Sequence, residues 1–482
     1  MKKLFLFTVI IFAANVSRAQ WEPDVRLTNS ADSSMTSFSG AHGIAASGDT
    51  VHVTWYDKRD GNWEIYYKRS VDGGLTWEPD TRLTNDPALS QSPSIAISGS
   101  FVHIVWSDNR DGNREIYYMR STDRGSTWEG AVRITNDAFW SYSPKIAVSG
   151  SYVHVVWSDK NLAFYNYEVH YRSSADGGIN WGTETSLSSI STIAYAPAIA
   201  ANGLNIHIFW NDFRDANLEI YYKHSSDGGL TWDPDTRLTS DPGVSTIPCV
   251  SVSGSKINIV WMDTRNHPDV VYDIYLKRSI DGGLTWGPDT RLTSSNGTSI
   301  CPNISASGSL LHLIWQNDRD GNRCIYYKSS ADNGLTWTAD LQLNNVSVDS
   351  QYPFIAVSGP VLHTMWQDFR DSNFEIYYKR NPTGGFPVGV DNELAGNSGQ
   401  PITIYPNPAC TVLNIDFNSA SDENLDVRII DLFGQTVGIY KFNSSKGLNQ
   451  YKTDLNDLSN GLYLIEFTSG EQKQFKKLLI RK

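Results

Sequence analysis

Arginine and aspartate recur together along the sequence in a short motif, whose first copy is WYDKRDGNWEIYYKR. A guanidinium group can bind a carboxylate through two parallel hydrogen bonds, so such an arginine could hold a carboxylated ligand. Because the motif is repeated at regular intervals, its copies should not converge on one ligand, and we expect each arginine to pair within its own turn. Oxygen-rich loops with a central glycine are also typical of calcium sites, so a structural calcium ion in each copy is the alternative. The residues are Arg59, Arg110, Arg214, Arg319 and Arg370 with Asp57, Asp108, Asp212 and Asp368.

Histidine and cysteine could bind a metal, but their placement does not favour a metal centre. One position of a recurring apolar segment is occupied by His52, His103, His154, His207, His312 and His363. Metal ligands must meet at one ion, whereas regular spacing keeps these residues apart, so we expect packing roles and assign no metal site. The four cysteines show no metal-ligand spacing. Cys249 and Cys301 fall at near-equivalent places in consecutive copies, which leaves either one disulfide or two buried thiols.

Aromatic residues break the repeat in one stretch and are the candidate ligand-binding residues. The segment NDAFWSYSP contains Trp140 and Tyr142, the expanded turn KNLAFYNYEVHY contains Tyr165 and Tyr167, and the next entry loop carries Tyr195. Exposed aromatic rings with polar tips suit the faces of sugar rings. The alternative is that these rings, with Phe139 and Phe164, pack the longer loops against one another.

The elements that carry these residues form an internal repeat. An apolar run ending in tryptophan occurs seven times at spacings of 51 to 54 residues, which is typical of β-propeller blades. The second copy predicts four strands, PSIAIS, FVHIVW, EIYYMR and AVRITN, with a tight Ser-Gly turn between the first two. The landmark residues are Trp55, Trp106, Trp157, Trp210, Trp261, Trp315 and Trp366.

Between the third and fourth strands lies a motif of the form SxDGGxTW. Its aspartate can accept hydrogen bonds from the N–H groups of its own turn, and glycine permits the strained backbone. This motif resembles the Asp-box, or bacterial neuraminidase repeat, of the sialidase-like propellers. The resemblance implies that the boxes are structural and that a ligand site lies on the opposite face, over the central channel. The box carboxylates are Asp72, Asp123, Asp176, Asp227, Asp281 and Asp332.

The N-terminal segment WEPDVRLTN matches WEPDTRLTN, a box tryptophan followed by a fourth strand. After the last third strand, FEIYYKR, no further box tryptophan follows. We therefore expect Asp24 to Asn29 to complete the last blade beside Glu375 to Arg380, which removes open sheet edges. The predicted fold class is all-β: a seven-bladed β-propeller closed by an N-terminal outer strand, followed by a small immunoglobulin-like β-sandwich.

Both ends of the chain carry export signals. Two lysines, an apolar run and small residues before position 20 indicate a signal peptide over residues 1–19. The segments YPNP, VRIIDLFGQTV, SNGLYLIEFTSG and FKKLLIRK resemble, in order, the C-terminal sorting domain of the type IX secretion system of the Bacteroidetes. This resemblance implies delivery to the surface or the medium by that machinery; an ordinary binding sandwich is the alternative. The expected domains are the propeller over 20–380, a linker over 381–400 and the sorting domain over 401–482.

The charge of the chain narrows the class of partner. A formal net charge of -12 disfavours nucleic acid and anionic membranes. Beyond the signal peptide, no stretch approaches the roughly 20 apolar residues of a membrane span. We expect a monomer without a cofactor.

Catalysis is not favoured, because sialidases carry an Arg-Ile-Pro motif before the first box, where this chain has VRLTN and AHGIAAS. Nor is a pair of acidic groups suited to a glycosidase recognisable, so no catalytic residue is assigned. The favoured function is recognition of a glycan or a protein. An exo-sialidase or related glycosidase is the alternative, and a structural or adhesive surface protein is a further one.

Overall fold

The computed structural model describes residues 21–37, 42–136, 138–161, 166–188, 193–267, 271–344, 347–384, 402–405, 407, 409–419, 421–431, 436–459, 461–469 and 472–480. The expected signal peptide and most of the expected linker lie outside these residues. The chain divides into two compact units, Trp21–Pro382 and a second that contains Thr383–Lys482. The regular elements in the described residues are strands, and no helix capable of crossing a membrane occurs among them.

The first unit contains seven sheets of antiparallel strands, numbered here in chain order by their inner strands. An N-terminal strand, β1 (Val25–Arg26), precedes sheet 1 and joins sheet 7. Sheet 1 comprises β2 (Ser34–Met35), β3 (Ile44–Ser47), β4 (Thr50–Asp57), β5 (Glu64–Ser70) and β6 (Thr81–Arg82). Sheet 2 comprises β7 (Ser90–Ser98), β8 (Phe101–Asp108), β9 (Glu115–Ser121) and β10 (Val132–Arg133). Sheet 3 comprises β11 (Trp140–Ser149), β12 (Tyr152–Asn161), β13 (Asn166–Ser174) and β14 (Thr185–Ser186).

The remaining sheets of this unit repeat the same order. Sheet 4 comprises β15 (Ala194–Asn202), β16 (Asn205–Asp212), β17 (Glu219–Ser225) and β18 (Thr236–Arg237). Sheet 5 comprises β19 (Ser245–Ser253), β20 (Lys256–Asp263), β21 (Asp273–Ser279) and β22 (Thr290–Arg291). Sheet 6 comprises β23 (Ser299–Ser307), β24 (Leu310–Asn317), β25 (Cys324–Ser330) and β26 (Leu341–Gln342). Sheet 7 comprises β27 (Ser350–Ser358), β28 (Val361–Asp368) and β29 (Glu375–Asn381) together with β1.

The sheets form a closed cycle. The inner strands β3, β7, β11, β15, β19, β23 and β27 contact one another in that order, and β27 returns to contact β3. They surround a central channel with a cavity of about 290 Å³. One long strand of each sheet is buried along nearly its whole length, because its two faces are covered by neighbouring sheets, and its recurring tryptophan is 0–1% exposed. These second strands of the repeat are β4, β8, β12, β16, β20, β24 and β28.

The cycle is closed by the N-terminal strand, as the sequence predicts. Val25 pairs with Tyr378 and Arg26 with Tyr377. Trp21 contacts Tyr327 of sheet 6 edge-on, at a centroid separation of 5.1 Å. This contact repeats that of five box tryptophans, each of which meets a third-strand tyrosine of the preceding sheet edge-on. Strand β29 continues to Asn381, one residue into the expected linker.

The fourth strand of each sheet is shorter than predicted, with only two residues in regular pairing. In sheet 2 the threonine side chain replaces the next backbone partner, because the Ile116 N–H donates to Thr135 Oγ1 at 2.7 Å. That hydroxyl donates in turn to the Glu115 carboxylate. The sequence ITN therefore continues the sheet through one main-chain hydrogen bond, from Ile134 N to Ile116 O at 2.8 Å, and then through the threonine side chain.

The aspartates of the Asp-boxes accept hydrogen bonds from N–H groups of their own turns. In sheet 4, Asp227 Oδ1 accepts hydrogen bonds from Leu230 N at 3.0 Å and Thr231 N at 2.9 Å. Gly229 has a φ of +90°, and a Cβ there would lie 2.1 Å from the Tyr171 hydroxyl oxygen of sheet 3. Only glycine permits this approach, so the box locks each sheet against the one before it.

The repeated histidines join the strands beneath the boxes. His52 Nδ1 lies 2.6 Å from the Tyr67 hydroxyl oxygen, and the same pair recurs in five other sheets. Sheet 5 has Asn258 and Leu276 at these two positions, so histidine and tyrosine are lost together. The expectation that the histidines pack the sheets agrees with this geometry.

The C-terminal unit contains two sheets around one apolar core. The first consists of β30 (Thr403–Tyr405), β31 (Val412–Ser419) and β34 (Gly447–Asp454). The second consists of β32 (Glu423–Ile430), β33 (Thr436–Ser444), β35 (Gly461–Ser469) and β36 (Gln472–Ile480). Alternate residues of both sheets, including Ile415, Val427 and Ile465, are 0% exposed in a shared cluster.

Candidate functional site

The turns between second and third strands lie on the face opposite the boxes. The boxes bond to the Ser-Gly turns, as in the hydrogen bond of 2.8 Å from Gly177 N to Ser151 O. On the other face, Asn62 Nδ2 donates to Asp86 O and Ala88 O in the connection to the next sheet, at 2.7 and 2.6 Å. The second face, called here the hairpin face, therefore carries the loops that vary between sheets.

The repeated arginines of the hairpin face are paired within their own sheets. Arg59 Nη2 lies 2.6 Å from Asp57 Oδ2, and its Nη1 lies 2.7 Å from Asp80 Oδ2. Burial raises the pKa of Asp57, but hydrogen bonds from Arg59, Ser34 and Trp55 outweigh it and leave this pKa below its usual value. The guanidinium group also lies over the Tyr66 ring at 4.5 Å. These arginines are therefore structural, as their repetition indicates.

Each inner strand from sheet 2 to sheet 7 is bent by a bulge where it reaches the hairpin face. The residue before the strand's proline has a positive φ between 49° and 57°, although none of these residues is glycine. The pairing register shifts at the same place in all six strands. Such backbone strain is concentrated at functional sites and persists only where the surroundings hold it. The positions are Ser92, Ser143, Ala196, Ile247, Cys301 and Tyr352.

The bulges of sheets 3 and 4 bring four of the five candidate aromatic residues together. The Trp140 and Tyr142 rings lie 6.0 Å apart, and the Tyr167 and Tyr195 rings are also separated by 6.0 Å. All four are partly exposed. Tyr165 lies outside the described residues.

Two basic side chains face these rings. The Arg114 guanidinium lies 5.3 Å from the Tyr142 ring centre, and Lys160 Nζ lies 5.3 Å from that of Tyr167. Burial raises the pKa of Tyr142, while Arg114 and Lys160 oppose that rise and Tyr167 adds to it. Tyr142 thus remains a neutral hydrogen-bonding group at neutral pH, with Arg114 and Lys160 nearby.

Tyr272 of sheet 5 extends this aromatic surface and was not recognised from the sequence as a site residue. Burial raises the pKa of Tyr195, and Tyr272 and Tyr167 both add to that effect, which places Tyr195 near each of them. Tyr167, Tyr272 and Arg114 occupy one position of the repeat, directly before Glu168, Asp273 and Glu115, and the residue at this position differs from sheet to sheet. This variation between sheets is the feature of the sequence from which these residues could have been identified. The set Arg114, Trp140, Tyr142, Lys160, Tyr167, Tyr195 and Tyr272 is called the aromatic arc below.

Lys145 is a second residue that the sequence reading missed. It follows Pro144 in β11 and is 2% exposed. Burial lowers the pKa of Lys145 to about 7, so charged and neutral amine are both present near neutral pH. His42 and Cys249 are near enough to interact with it electrostatically. Its equivalents in the other sheets are Gly43, Ser94, Ala198, Cys249, Asn303 and Phe354, none of which carries a charge.

The disulfide alternative for Cys249 and Cys301 is resolved in favour of free thiols. Cys249 and Cys301 are free and buried. Burial raises the pKa of Cys249 to about 11 and that of Cys301 to about 12. Both side chains are therefore protonated, unreactive packing groups at neutral pH.

Comparison with known families gives two matches. Residues 98–313 match the BNR repeat-like domain, and residues 403–481 match the secretion system C-terminal sorting domain. The first match falls on sheets 2 to 6 and the second on the C-terminal unit.

Curated relatives include two bacterial hydrolases. Xyloglucanase Xgh74A of Acetivibrio thermocellus is 25% identical over 253 residues, which cover 45% of this chain and 28% of the relative. A sialidase of Bacteroides fragilis is 24% identical over 285 residues, which cover 49% of this chain and 50% of the relative. The chain thus spans half or less of the length of these relatives.

Solved structures with a similar fold include glycoside hydrolases. A mutant sialidase of Trypanosoma rangeli is 12% identical, with a TM-score of 0.47 over 95% of this chain and 89% of that chain. The GH93 α-L-arabinofuranosidase of Fusarium graminearum is 14% identical, with a TM-score of 0.46 over 60% of this chain and 92% of that chain. Both are likenesses of fold alone.

Proposed function

We propose that this exported BNR-repeat protein, a sialidase-like β-propeller followed by a secretion-system sorting domain, recognises a glycan through its aromatic arc. The observation that carries the proposal is the juxtaposition of the aromatic rings with Arg114 and Lys160 on the hairpin face. These residues stand where the repeat is irregular, so they form one site rather than seven equivalent ones.

The chemistry of the arc favours an acidic glycan. Aromatic faces stack on the apolar faces of sugar rings, and tyrosine hydroxyls supply hydrogen bonds at the ring edges. Arg114 and Lys160 add positive charge to a chain whose formal net charge is -12. A carboxylated sugar would therefore be attracted to this sector of the surface rather than to the acidic remainder.

The wider architecture supports a recognition module on the cell surface or in the medium. We infer a seven-bladed propeller, since seven sheets with inner strands in cyclic contact surround the channel. We infer an immunoglobulin-like sandwich for the C-terminal unit from its two sheets and shared core. The sorting-domain match indicates export by the type IX secretion system. Residues 1–19 would be the signal peptide and 381–400 the linker.

The test is a glycan array probed with the chain from Trp21 onward and with three variants. Trp140→Ala and Tyr167→Ala should each weaken binding to the best glycan by at least about tenfold with little change in Tm, because stacking is lost at a partly exposed surface. Tyr152→Ala is the matched control, since Tyr152 is a partly exposed tyrosine of the same sheet on the box face. A large fall in Tm with unchanged glycan affinity would mean that the rings only pack against one another.

Glycoside hydrolysis is the second candidate, because the matched curated relatives are named xyloglucanase and sialidase. Against it, the repeated carboxylates of the hairpin face, such as Asp57 and Asp263, are paired with arginine and are not available as acid or base. Assays with a fluorogenic sialoside and with xyloglucan test this candidate. Turnover that is lost in Trp140→Ala would replace the recognition proposal with an enzymatic one.

A further inference from the structure

Sheet 3 departs from the other sheets at a cluster of charged residues on the hairpin face. In each of the other six sheets, an arginine lies over the ring of a third-strand tyrosine beside the end of the second strand. Sheet 3 has Asn161 at the arginine position and His170 at the tyrosine position. It also has Ser186 where sheets 1, 2, 4, 5 and 7 have a fourth-strand arginine that pairs with a carboxylate.

The carboxylates remain although both arginines are gone. Asp159, Glu168 and Glu184 occupy the positions of Asp57, Glu64 and Asp80 of sheet 1. All three surround His170, whose Nδ1 lies 2.6 Å from Glu184 Oε1 and 3.6 Å from Asp159 Oδ2, and whose Nε2 lies 3.6 Å from Glu168 Oε2. Three carboxylates thus lie around a single imidazole, at a place where most other sheets set guanidinium groups against their carboxylates.

A second observation is that two buried donors near Asp159 have no hydrogen-bond partner. Trp157 Nε1 and Ser141 Oγ are unpaired, and both residues are 0% exposed. In other sheets the equivalent donors bond to the aspartate: Trp106 Nε1 and Ser90 Oγ reach Asp108 Oδ2 at 2.9 and 2.8 Å. The Asp159 carboxylate therefore does not lie against these two donors, as its counterparts do. It lies toward His170 and Glu184 instead.

We propose that Asp159, His170 and Glu184 bind one divalent transition-metal ion of the Zn²⁺ type. One ligand atom from each lies within 4.8 Å of the others, and no other such group of three occurs in the described part of the chain. Imidazole and carboxylate ligands suit Zn²⁺ at distances of about 2.0 to 2.2 Å, which places neighbouring ligand atoms roughly 3.4 Å apart. The observed separations from Nδ1 to the two carboxylates bracket that value.

The surroundings of His170 suit this arrangement. Its Nε2 faces Glu168, and a carboxylate beside the second ring nitrogen is the usual partner that orients a metal-binding histidine. A divalent cation would also supply the positive charge that two guanidinium groups supply in most other sheets. Asp159 pairs with Glu168 across strands β12 and β13, and the next pair along these strands is Lys160 with Tyr167. The ion would therefore hold together the two strands that carry this part of the aromatic arc.

The test is Zn²⁺ titration of the chain from Trp21 onward after treatment with a chelator, followed by calorimetry and thermal melting. One ion per chain should bind and raise Tm, since a ligand that binds only the folded state stabilises it. His170→Tyr, which restores the residue of the other sheets, and Glu184→Gln should each weaken Zn²⁺ binding by at least about tenfold. His224→Gln is the control, because His224 lies beside a single carboxylate, that of Asp233 in sheet 4, and Zn²⁺ binding by this variant should match that of the parent chain.

Two outcomes would overturn the proposal. One is Zn²⁺ binding that persists undiminished in both His170→Tyr and Glu184→Gln, which would place the ion elsewhere. The other is a chain that binds no Zn²⁺ and whose Tm falls less than that of His170→Tyr on acidification from about pH 8 to about pH 6. That result would identify His170 as an imidazolium counter-ion to Asp159, Glu168 and Glu184. The glycan assay is independent of both outcomes, so this proposal and the proposed function can fail separately.

Discussion

At the scale of single residues, the repeat separates structural from candidate functional side chains. A residue type that recurs in most sheets finds its partners within its own sheet or an adjacent one, as Arg59 does with Asp57 and Asp80. Residues that occur once, such as Trp140 and His170, have neighbours that no other sheet offers. Because a ligand that binds a ring of seven sheets at one sector needs asymmetric contacts, the irregular positions are where binding is expected.

The box aspartates belong to the structural class, and Asp227→Ala tests this. Hydrogen bonds from Thr231 and then Ser225 lower the pKa of Asp227 to about 2, so its stabilisation is fully present above the unfolded pKa of 3.8 and is lost as the pH falls toward 2. The substitution should lower Tm by a few degrees at neutral pH and leave glycan affinity unchanged. Asp233→Ala, at an exposed aspartate of the same loop, should have a smaller effect on Tm. Lost glycan binding at an unchanged Tm would assign the box a binding role instead.

At the scale of elements, the fourth strands decide how firmly each sheet is held. They contribute few main-chain pairs, and the rest of the contact comes from side chains such as Thr28 Oγ1, which accepts the Ile376 N–H at 2.8 Å. In sheet 7 this strand comes from the opposite end of the chain. The closure is therefore a contact between residues more than 300 positions apart and stabilises the cycle as a whole.

Removal of residues 21–29 should sharply destabilise the first unit. The deletion exposes the edge of β29 and removes Leu27, which is 4% exposed in the core shared with Val51 and Trp55. We expect a fall in Tm and aggregation through the open edge, measured by calorimetry and light scattering. Val25→Thr, at a 39% exposed position of the same strand, should leave Tm nearly unchanged. An unchanged Tm after the deletion would contradict closure by β1.

At the scale of the whole molecule, the recurring histidines make the propeller sensitive to acid. Burial lowers the pKa of His52, His103, His154 and His312 to about 4 and that of His207 and His363 to about 3. All six are at most 3% exposed. The unfolded chain takes up their protons near the usual pKa of 6.5, which the folded chain does not, so stability falls as the pH drops below that value.

Unfolding measured between about pH 7 and about pH 4 should show a steep loss of stability that begins below about pH 6.5. Each histidine contributes about 1.4 kcal/mol per pH unit within this window, because the unfolded state binds one proton more than the folded state. The double variant His207→Asn with Tyr222→Leu copies the Asn258 and Leu276 pair of sheet 5. Its free energy of unfolding should fall less steeply with decreasing pH than that of the parent chain, by the contribution of one histidine. A Tm that is constant across this range would show that the histidines are not buried in the neutral form.

The two compact units lead to a prediction about export. A chain that ends near residue 390 retains every strand of the first unit, which closes without the second. It should therefore fold but remain in the periplasm of a native host, because the matched sorting domain has been removed. Cell fractionation with the full chain as control measures this. Equal surface delivery of the shortened chain would show that the C-terminal unit has another role.

The sequence by itself determined the repeat, the all-β class, the closing N-terminal strand and the turn role of the boxes. Each of these follows from local pattern: alternating or continuous apolar runs, glycine where φ must be positive, and a segment that copies a fourth strand. The sequence also identified Trp140, Tyr142, Tyr167 and Tyr195 as departures from the repeat, because a departure is visible without coordinates.

Only the tertiary structure decided which distant residues meet and in what state. It placed Arg114 and Tyr272 beside the predicted aromatic residues, buried Lys145 in β11, and left Cys249 and Cys301 unpaired. It also brought Glu184 of the fourth strand to His170 of the third, across the place where an arginine stands in the other sheets. The physical reason is that burial, charge compensation and bulge geometry depend on contacts between sheets, and these contacts leave no periodic signal in a single chain.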